Sequence, residues 1–222
     1  PNPLAARVIK KEGPPTSKNI TGKVYSISNK VKLNMIYKLM KQTIKRKPLK
    51  LGYIYSTYPS SISELKKFKK LDWKDPKVKF ISYRIPYKKV PIGLPWMLKR
   101  VKRAMRRVEK KVHCWVEATG PLGESKEYTR FLMKHSKKPI CFAIKSYSVK
   151  KGALLFISPD MKKSGAEIAR LAYIILKGQN PGKIPPLPHK DYKIGVNIKT
   201  ALKLKIVIPQ DILELAGKNV YR

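Results

Sequence analysis

Three histidines, His113, His135 and His189, are the candidates for proton transfer or metal binding, and their placement argues against both. They fall in separate segments. Neither the HExxH pattern, which puts two imidazoles on one helix face, nor a CxxCH pattern is present. His113 adjoins Cys114, but neighbours along a strand point to opposite faces and do not converge on one ion. The chain lacks a GxSxG nucleophile turn and any glycine-rich phosphate loop of the GxGxxG or Walker type. Asp72 and Asp75 lie in LDWKDP, which reads as turn chemistry rather than as a carboxylate pair. Cys114 and Cys141 sit in apolar runs (HCWVE and PICFAI), where buried, inert thiols are expected and a disulfide between neighbouring strands is the alternative. No catalytic residue, metal site or cofactor follows, so the chain is expected to bind rather than to catalyse.

Charge is the unusual property. Lys and Arg number 51 against 13 Asp and Glu, a formal net charge of +38 over 222 residues. Such self-repulsion opposes compactness unless anions or an acidic partner screen it. An AT-rich genome would add lysine, but it would not remove acids. Hydrophobic residues make up 42%, so the charge sits on a folded body. The densest run is KRVKRAMRRVEKK. There Val101, Met105 and Val108 face a core, leaving Lys99, Arg100, Lys102, Arg103, Arg106, Arg107, Lys110 and Lys111 as an outer, partner-binding face. Nucleic acid is not expected as the partner, because no recognition motif accompanies the run. No segment is apolar enough to span a membrane. No signal peptide is visible, and the opening at Pro1 reads as a processed or truncated start.

Short apolar runs alternate with helical patterns. Leu51–Ser56, Val78–Tyr83, Val112–Glu117, Ile140–Ile144 and Ala153–Ile157 read as strands. Between them, Val31, Met35, Leu39 and Thr43 form one helical stripe, with Ile36, Met40 and Ile44 beside it. Ile62, Leu65, Phe68 and Leu71 form the next, after a Ser-Ser start that offers an N-cap. Leu98, Val101, Met105 and Val108 follow, then Tyr128, Phe131, Leu132 and His135. The longest helix begins after Ser158-Pro159-Asp160 and stops at Gly178. Pro181–His189 should run extended. A strand over Tyr192–Ile198, a helical turn at Lys199–Leu204, a short strand at Ile206–Ile208 and a helix over Gln210–Ala216 complete the chain. This alternation implies parallel strands with right-handed crossovers, a doubly wound α/β sheet whose ligands bind at the strands' carboxyl ends.

The far end is specific. Gly152, Ala153, Leu154, Pro159, Asp160, Leu176, Lys177, Gly178, Pro181, Ile184, Pro185, Asn197, Lys199, Thr200, Ala201, Ile208 and Pro209 stand in an order that resembles one family. It is the bacterial ABC-transporter substrate-binding proteins of the tryptophan/tyrosine type. Upstream, Asn2-Pro3-Leu4-Ala5-Ala6, Lys18-Asn19-Ile20-Thr21-Gly22, Leu51–Tyr55 and Pro139–Ala143 are similar to its other landmarks, so the resemblance covers essentially the whole chain. It implies a type 1 periplasmic-binding-protein fold, two Rossmann-like lobes joined by crossing hinges. The expected division is 1–22 as a remnant of the first lobe, 23–144 as the second, 145–190 as a return to the first, and 191–222 as a hinge-crossing strand and helix. Family members carry further βα units before the matched segment, so the first lobe is expected to be incomplete.

The resemblance also locates a site, lined by Ser56, Tyr58, Ser60, Ser61, Thr119, Lys145 and Ser146. Two departures change its chemistry. Thr119 keeps the family's threonine, but Gly120 stands where an aspartate belongs, and Lys145-Ser146 replace an acidic stretch. The groups suited to an amino-acid ammonium are gone, so the implied solute is not a zwitterionic amino acid and an anion becomes a candidate. Two readings remain. One is the solute-binding component of an ABC importer, with a permease as partner in the periplasm or cell envelope. The other is a repurposed docking subunit whose basic surface meets an acidic protein or an anionic envelope component within a larger complex.

Overall fold

A computed structural model describes residues 21, 27–45, 48–72, 77–185 and 192–222. The family landmarks at Asn2–Ala6 and Lys18–Ile20, together with Gly22, Asp75 and His189, lie outside the described residues. The chain divides into two compact units: residues 28–157 with 194–222, and residues 1–27 with 158–193.

The larger unit is built on parallel strands. In chain order it contains α1 (Asn29–Met40), β1 (Leu49–Ser56), α2 (Pro59–Asp72), β2 (Val78–Ile85), α3 (Leu94–Val108), β3 (Cys114–Val116), α4 (Lys126–His135), β4 (Ile140–Phe142) and α5 (Ser146–Lys151). The strands lie in the order β2-β1-β3-β4, and every pairing is parallel. Hydrogen bonds continue from β4 to the next strand, β5 (Leu155–Pro159): Ala143 N–H donates to the Leu155 carbonyl at 2.8 Å, and Ala143 bridges Phe156 in parallel. Beyond β5 lie β6 (Tyr192–Asn197) and β7 (Val220–Tyr221), with α7 (Ile198–Lys203) and α8 (Gln210–Ala216) between them in sequence.

Strand alternation gives the sheet two cores. On one face Tyr53, Phe68 and Phe80 pack together, the two phenylalanine rings stacked at 4.6 Å, and α1 buries a stripe made by Leu33, Ile36, Leu39 and Met40. That stripe is rotated from the expected one, since Val31 and Met35 are only half-buried. On the other face Ile54, Ile85 and Trp115 meet Met97, Val101, Met105 and Val108 of α3 and Tyr128 and Leu132 of α4. Gly52 belongs here for a steric reason. It is paired with Trp115 across β1 and β3, and a Cβ on it would sit 2.4 Å from the indole ring.

Three expectations are corrected. Ile206–Ile208 is not a strand. Its alternation is real, with Ile206 and Ile208 buried and Val207 exposed, but the Gln42 side-chain amide takes both backbone groups of Val207, at 3.0 and 2.9 Å, where a neighbouring strand would have. Helix α2 starts at Pro59, so Ser60 and Ser61 occupy its first turn rather than its cap, and proline's fixed φ suits that opening position. Pro181–Lys183, expected to run extended, forms a 3-10 turn in which the Asn180 side chain accepts from Gly182 N–H at 2.8 Å. Both cysteines are free and buried.

In the smaller unit, α6 (Met161–Leu176) is capped by Asp160, whose carboxylate accepts from the N–H groups of Lys162 and Lys163 at 3.0 and 3.3 Å. Lys193 Nζ lies 3.5 Å from the same carboxylate. Thr21 Oγ1 donates to the Ile184 carbonyl at 2.8 Å.

Candidate functional site

The larger unit gathers the loops that leave β1, β2, β3 and β4 at the carboxyl ends of its strands, the position where α/β sheets bind ligands. The β1 and β2 loops are tied directly: Thr57 N–H donates to the Ile85 carbonyl at 2.9 Å, Tyr87 N–H to Thr57 Oγ1 at 2.8 Å, and the Tyr58 and Tyr87 rings meet edge to face at 5.0 Å. The β3 loop closes on them through Ser61, whose hydroxyl donates a short hydrogen bond to the Thr119 carbonyl. Gly120 turns with φ +95°, and a Cβ there would stand 2.9 Å from Ser61 Oγ, 3.0 Å from Ser60 Oγ and 3.1 Å from the Tyr58 ring. Only glycine accepts both that backbone conformation and that closeness.

Two buried carboxylates anchor the rim. Glu64 accepts from Lys32 Nζ at 2.8 Å, from the Tyr53 hydroxyl at 2.8 Å and from Thr119 N–H at 3.1 Å, so α1, α2, β1 and the β3 loop share one acid. Burial, then the neighbouring Glu64 charge, raises the Tyr53 phenol well above its ordinary pKa, which keeps it protonated as a donor. Thr119 Oγ1 is buried without a hydrogen-bond partner among the described residues. Glu117, at the end of β3, accepts from Thr129 Oγ1 at 2.6 Å, Ile144 N–H at 3.1 Å and Ser148 Oγ at 3.2 Å. Burial raises its carboxyl above the ordinary range despite those three donors.

Of the expected lining residues, Ser60, Tyr58, Thr119 and Ser146 are half-buried and Lys145 is exposed. Ser56 and Ser61 are buried, their hydroxyls bonded within the loops, at 3.4 Å from Tyr58 N–H for Ser56. The structure brings Tyr58, Ser60, Ser61 and the Thr119-Gly120 turn together. It joins Lys145 to the same turn through Glu124, which accepts from Gly120 N–H at 3.0 Å and lies 3.9 Å from Lys145 Nζ. Sequence reasoning missed Glu124, Tyr87, Glu64 and Glu117. Glu124 lies four residues beyond Gly120, and its carboxylate closes the turn between them by accepting Gly120 N–H.

The basic face is laid out as expected. Val101, Met105 and Val108 of α3 are buried with Leu94, Met97 and Ala104. Lys99, Lys102, Arg103, Arg106, Arg107, Lys110 and Lys111 are exposed, and Arg100 is half-buried, its guanidinium carbon 3.3 Å from the Trp96 ring centre. His113 is a structural acceptor, its Nδ1 taking Lys50 N–H at 2.8 Å. Among the described residues no group of three or more His, Cys, Asp or Glu is placed to hold a metal ion, and no helix is long and apolar enough to cross a membrane.

A family model described as ABC transporter substrate binding protein matches residues 1–220. Similar solved structures include an ABC domain from Streptococcus pneumonia in complex with L-Trp, 19% identical with a TM-score of 0.68, covering 100% of this chain and 70% of that one. A conserved domain protein from Vibrio cholerae is 19% identical with a TM-score of 0.66, over 100% of this chain and 69% of that one. The ligand-free, open structure of a substrate-binding protein with adhesive properties from Clostridium difficile is 18% identical with a TM-score of 0.63, over 91% and 61%. No curated protein matches this chain.

Proposed function

The chain belongs to the family of ABC transporter substrate-binding proteins, and from that premise we propose that its carboxyl-end rim binds a small polar solute that is not a zwitterionic amino acid. Delivery to an ABC permease is part of the same reading. So is an extracytoplasmic setting, in the periplasm or cell envelope, which is typical of the family. The observation that carries it is the closure of the Ser56–Ser61 loop on the Thr119-Gly120 turn, with Gly120 held against Ser60, Ser61 and Tyr58. That closure leaves Tyr58, Ser60, Thr119, Lys145 and Ser146 as the lining, with the first-turn N–H groups of α2 beside them. Such a rim offers hydroxyl and N–H donors, and its exposed carboxylate, Glu124, already engages Gly120 and Lys145. An ammonium group would have to displace those partners, whereas hydroxyl, carbonyl or anionic oxygens would meet donors. The test is thermal unfolding with a panel of sugars, organic acids and amino acids. A fitting solute at 100 times its Kd should stabilise by about 2.7 kcal/mol, and Gly120→Ala should lose most of that stabilisation. Stabilisation by a free amino acid in preference to all others would overturn the ligand class.

A second reading rests on a separate observation, the outer face of α3 and of the 3-10 turn that follows it (Glu109–Lys111), where among the described residues none of the eight cations pairs with a carboxylate. That face serves as a docking surface for an anionic partner. It uses residues other than the proposed solute-lining set, so the two roles are compatible.

A further inference from the structure

We propose that the outer face of α3 binds the phosphate backbone of a single nucleic-acid strand without reading its bases; this rests on the docking reading and names its partner. The buried side of α3 fixes which residues face out. From Lys99 to Lys111 the segment is ~18 Å long at 1.5 Å per residue. A strand stacked as it is in a duplex places one charge every ~3.4 Å along its axis, or about five phosphates over that length. Eight cations therefore match or exceed the charge of the strand they would follow. The nearest carboxylate in sequence, Glu109, is already occupied by Ser136 Oγ and Lys137 N–H, the latter at 2.8 Å.

Two further observations narrow the mode of contact. The aromatic rings on this face are covered by its own cations. Arg100 and Lys88 lie 3.3 and 4.4 Å from the Trp96 ring centre, and Arg107 donates to the Tyr83 hydroxyl at 2.9 Å. No open ring is offered for base stacking, so contact is with the backbone; the missing recognition motif bears on base readout alone. Across the same sheet, α2 exposes Lys66, Lys67, Lys69 and Lys70. A planar bilayer reaches one side of a sheet, whereas a flexible strand reaches both.

The experiment is fluorescence anisotropy of the purified chain with labelled oligo-dT and oligo-dA of 6 and 30 nucleotides, across salt concentrations. Expected are equal affinities for the two bases within about threefold and a log–log salt slope of about −3.5 for the 6-mer, from ~0.7 per phosphate. Reversing Lys102, Arg103, Arg106 and Lys110 to Glu should weaken binding at least ~100-fold and bring the slope toward about −1. Reversing the four α2 lysines should weaken only the 30-mer. Circular dichroism checks that the variants fold, and if the reversed chain does not, the Gln versions should still flatten the slope. A strong base preference, or tighter α3-dependent binding to phosphatidylserine vesicles or polyglutamate, overturns the nucleic-acid partner and leaves the docking reading standing. No binding to any polyanion, or wild-type binding by the folded charge-reversed chain, overturns both.

Discussion

Replacing Glu64 by alanine should cost the larger unit about 4 kcal/mol, because one buried acid satisfies three donors from three other segments. Lys32 and Glu64 have side chains only 13% and 9% exposed and lie 2.8 Å apart. Removing one member of a buried ion pair typically costs ~3–5 kcal/mol, since the remaining charge is left uncompensated. The Tyr53 hydroxyl and Thr119 N–H lose the same acceptor, and each orphaned buried donor costs ~1–3 kcal/mol. These penalties overlap, because water entering the vacated space would serve all three donors, so they do not sum. Lys32 Nζ also lies 5.9 Å from the ring centres of Phe68 and Phe142, which soften its isolation. In urea, with a slope of ~2–3 kcal/mol per molar, the midpoint should fall by about 1.5 M. Lys32→Met in the Glu64→Ala background should recover part of the loss, giving a coupling of at least ~1.5 kcal/mol in the double-mutant cycle. A midpoint shift below about 0.4 M, or additive single effects, would refute the view that Glu64 is the shared anchor of the rim.

Gly52→Ala should destabilise by about 2–3 kcal/mol through overpacking, because the Trp115 ring is pinned by its Nε1–H bond to Ser136 Oγ at 2.7 Å and cannot withdraw from the new methyl. Unchanged tryptophan fluorescence and unchanged stability would contradict that. Glu117 contributes to stability with a pH dependence opposite to that of an ion-paired surface carboxylate. Its folded pKa is raised by burial, so the stability it contributes is fully present below the ordinary carboxylate range and is lost as pH rises through the raised folded value. Unfolding of wild type and Glu117→Gln from pH 3.5 to 7.5 should show wild type losing ground to the variant as pH rises, and a flat or reversed difference would refute the assignment.

The sequence by itself determined the α/β class, because strand-length and helix-length apolar patterns alternate along one chain, and a pattern of that kind is local. It determined the inner and outer faces of α3 for the same reason, since eight cations and a stripe through Val101, Met105 and Val108 cannot share one side of a helix. The family was legible from the ordered far-end residues, and the positions around Ser60 and Thr119 were legible because they follow strands. What only the tertiary structure decided depends on who is near whom. Ile206–Ile208 carries a strand's alternation and is not one, since its backbone found the Gln42 amide instead of a neighbouring strand. Glu64 looks in sequence like an ordinary helical acid, and it becomes a buried anchor because Lys32, Tyr53 and Thr119, up to 55 residues away, converge on it. Gly120 reads as a lost aspartate until the fold sets it against Ser60, Ser61 and Tyr58, where a side chain has no room. Periodicity is written along the chain, but the partners of a buried polar group are chosen by packing, and no local pattern records that choice.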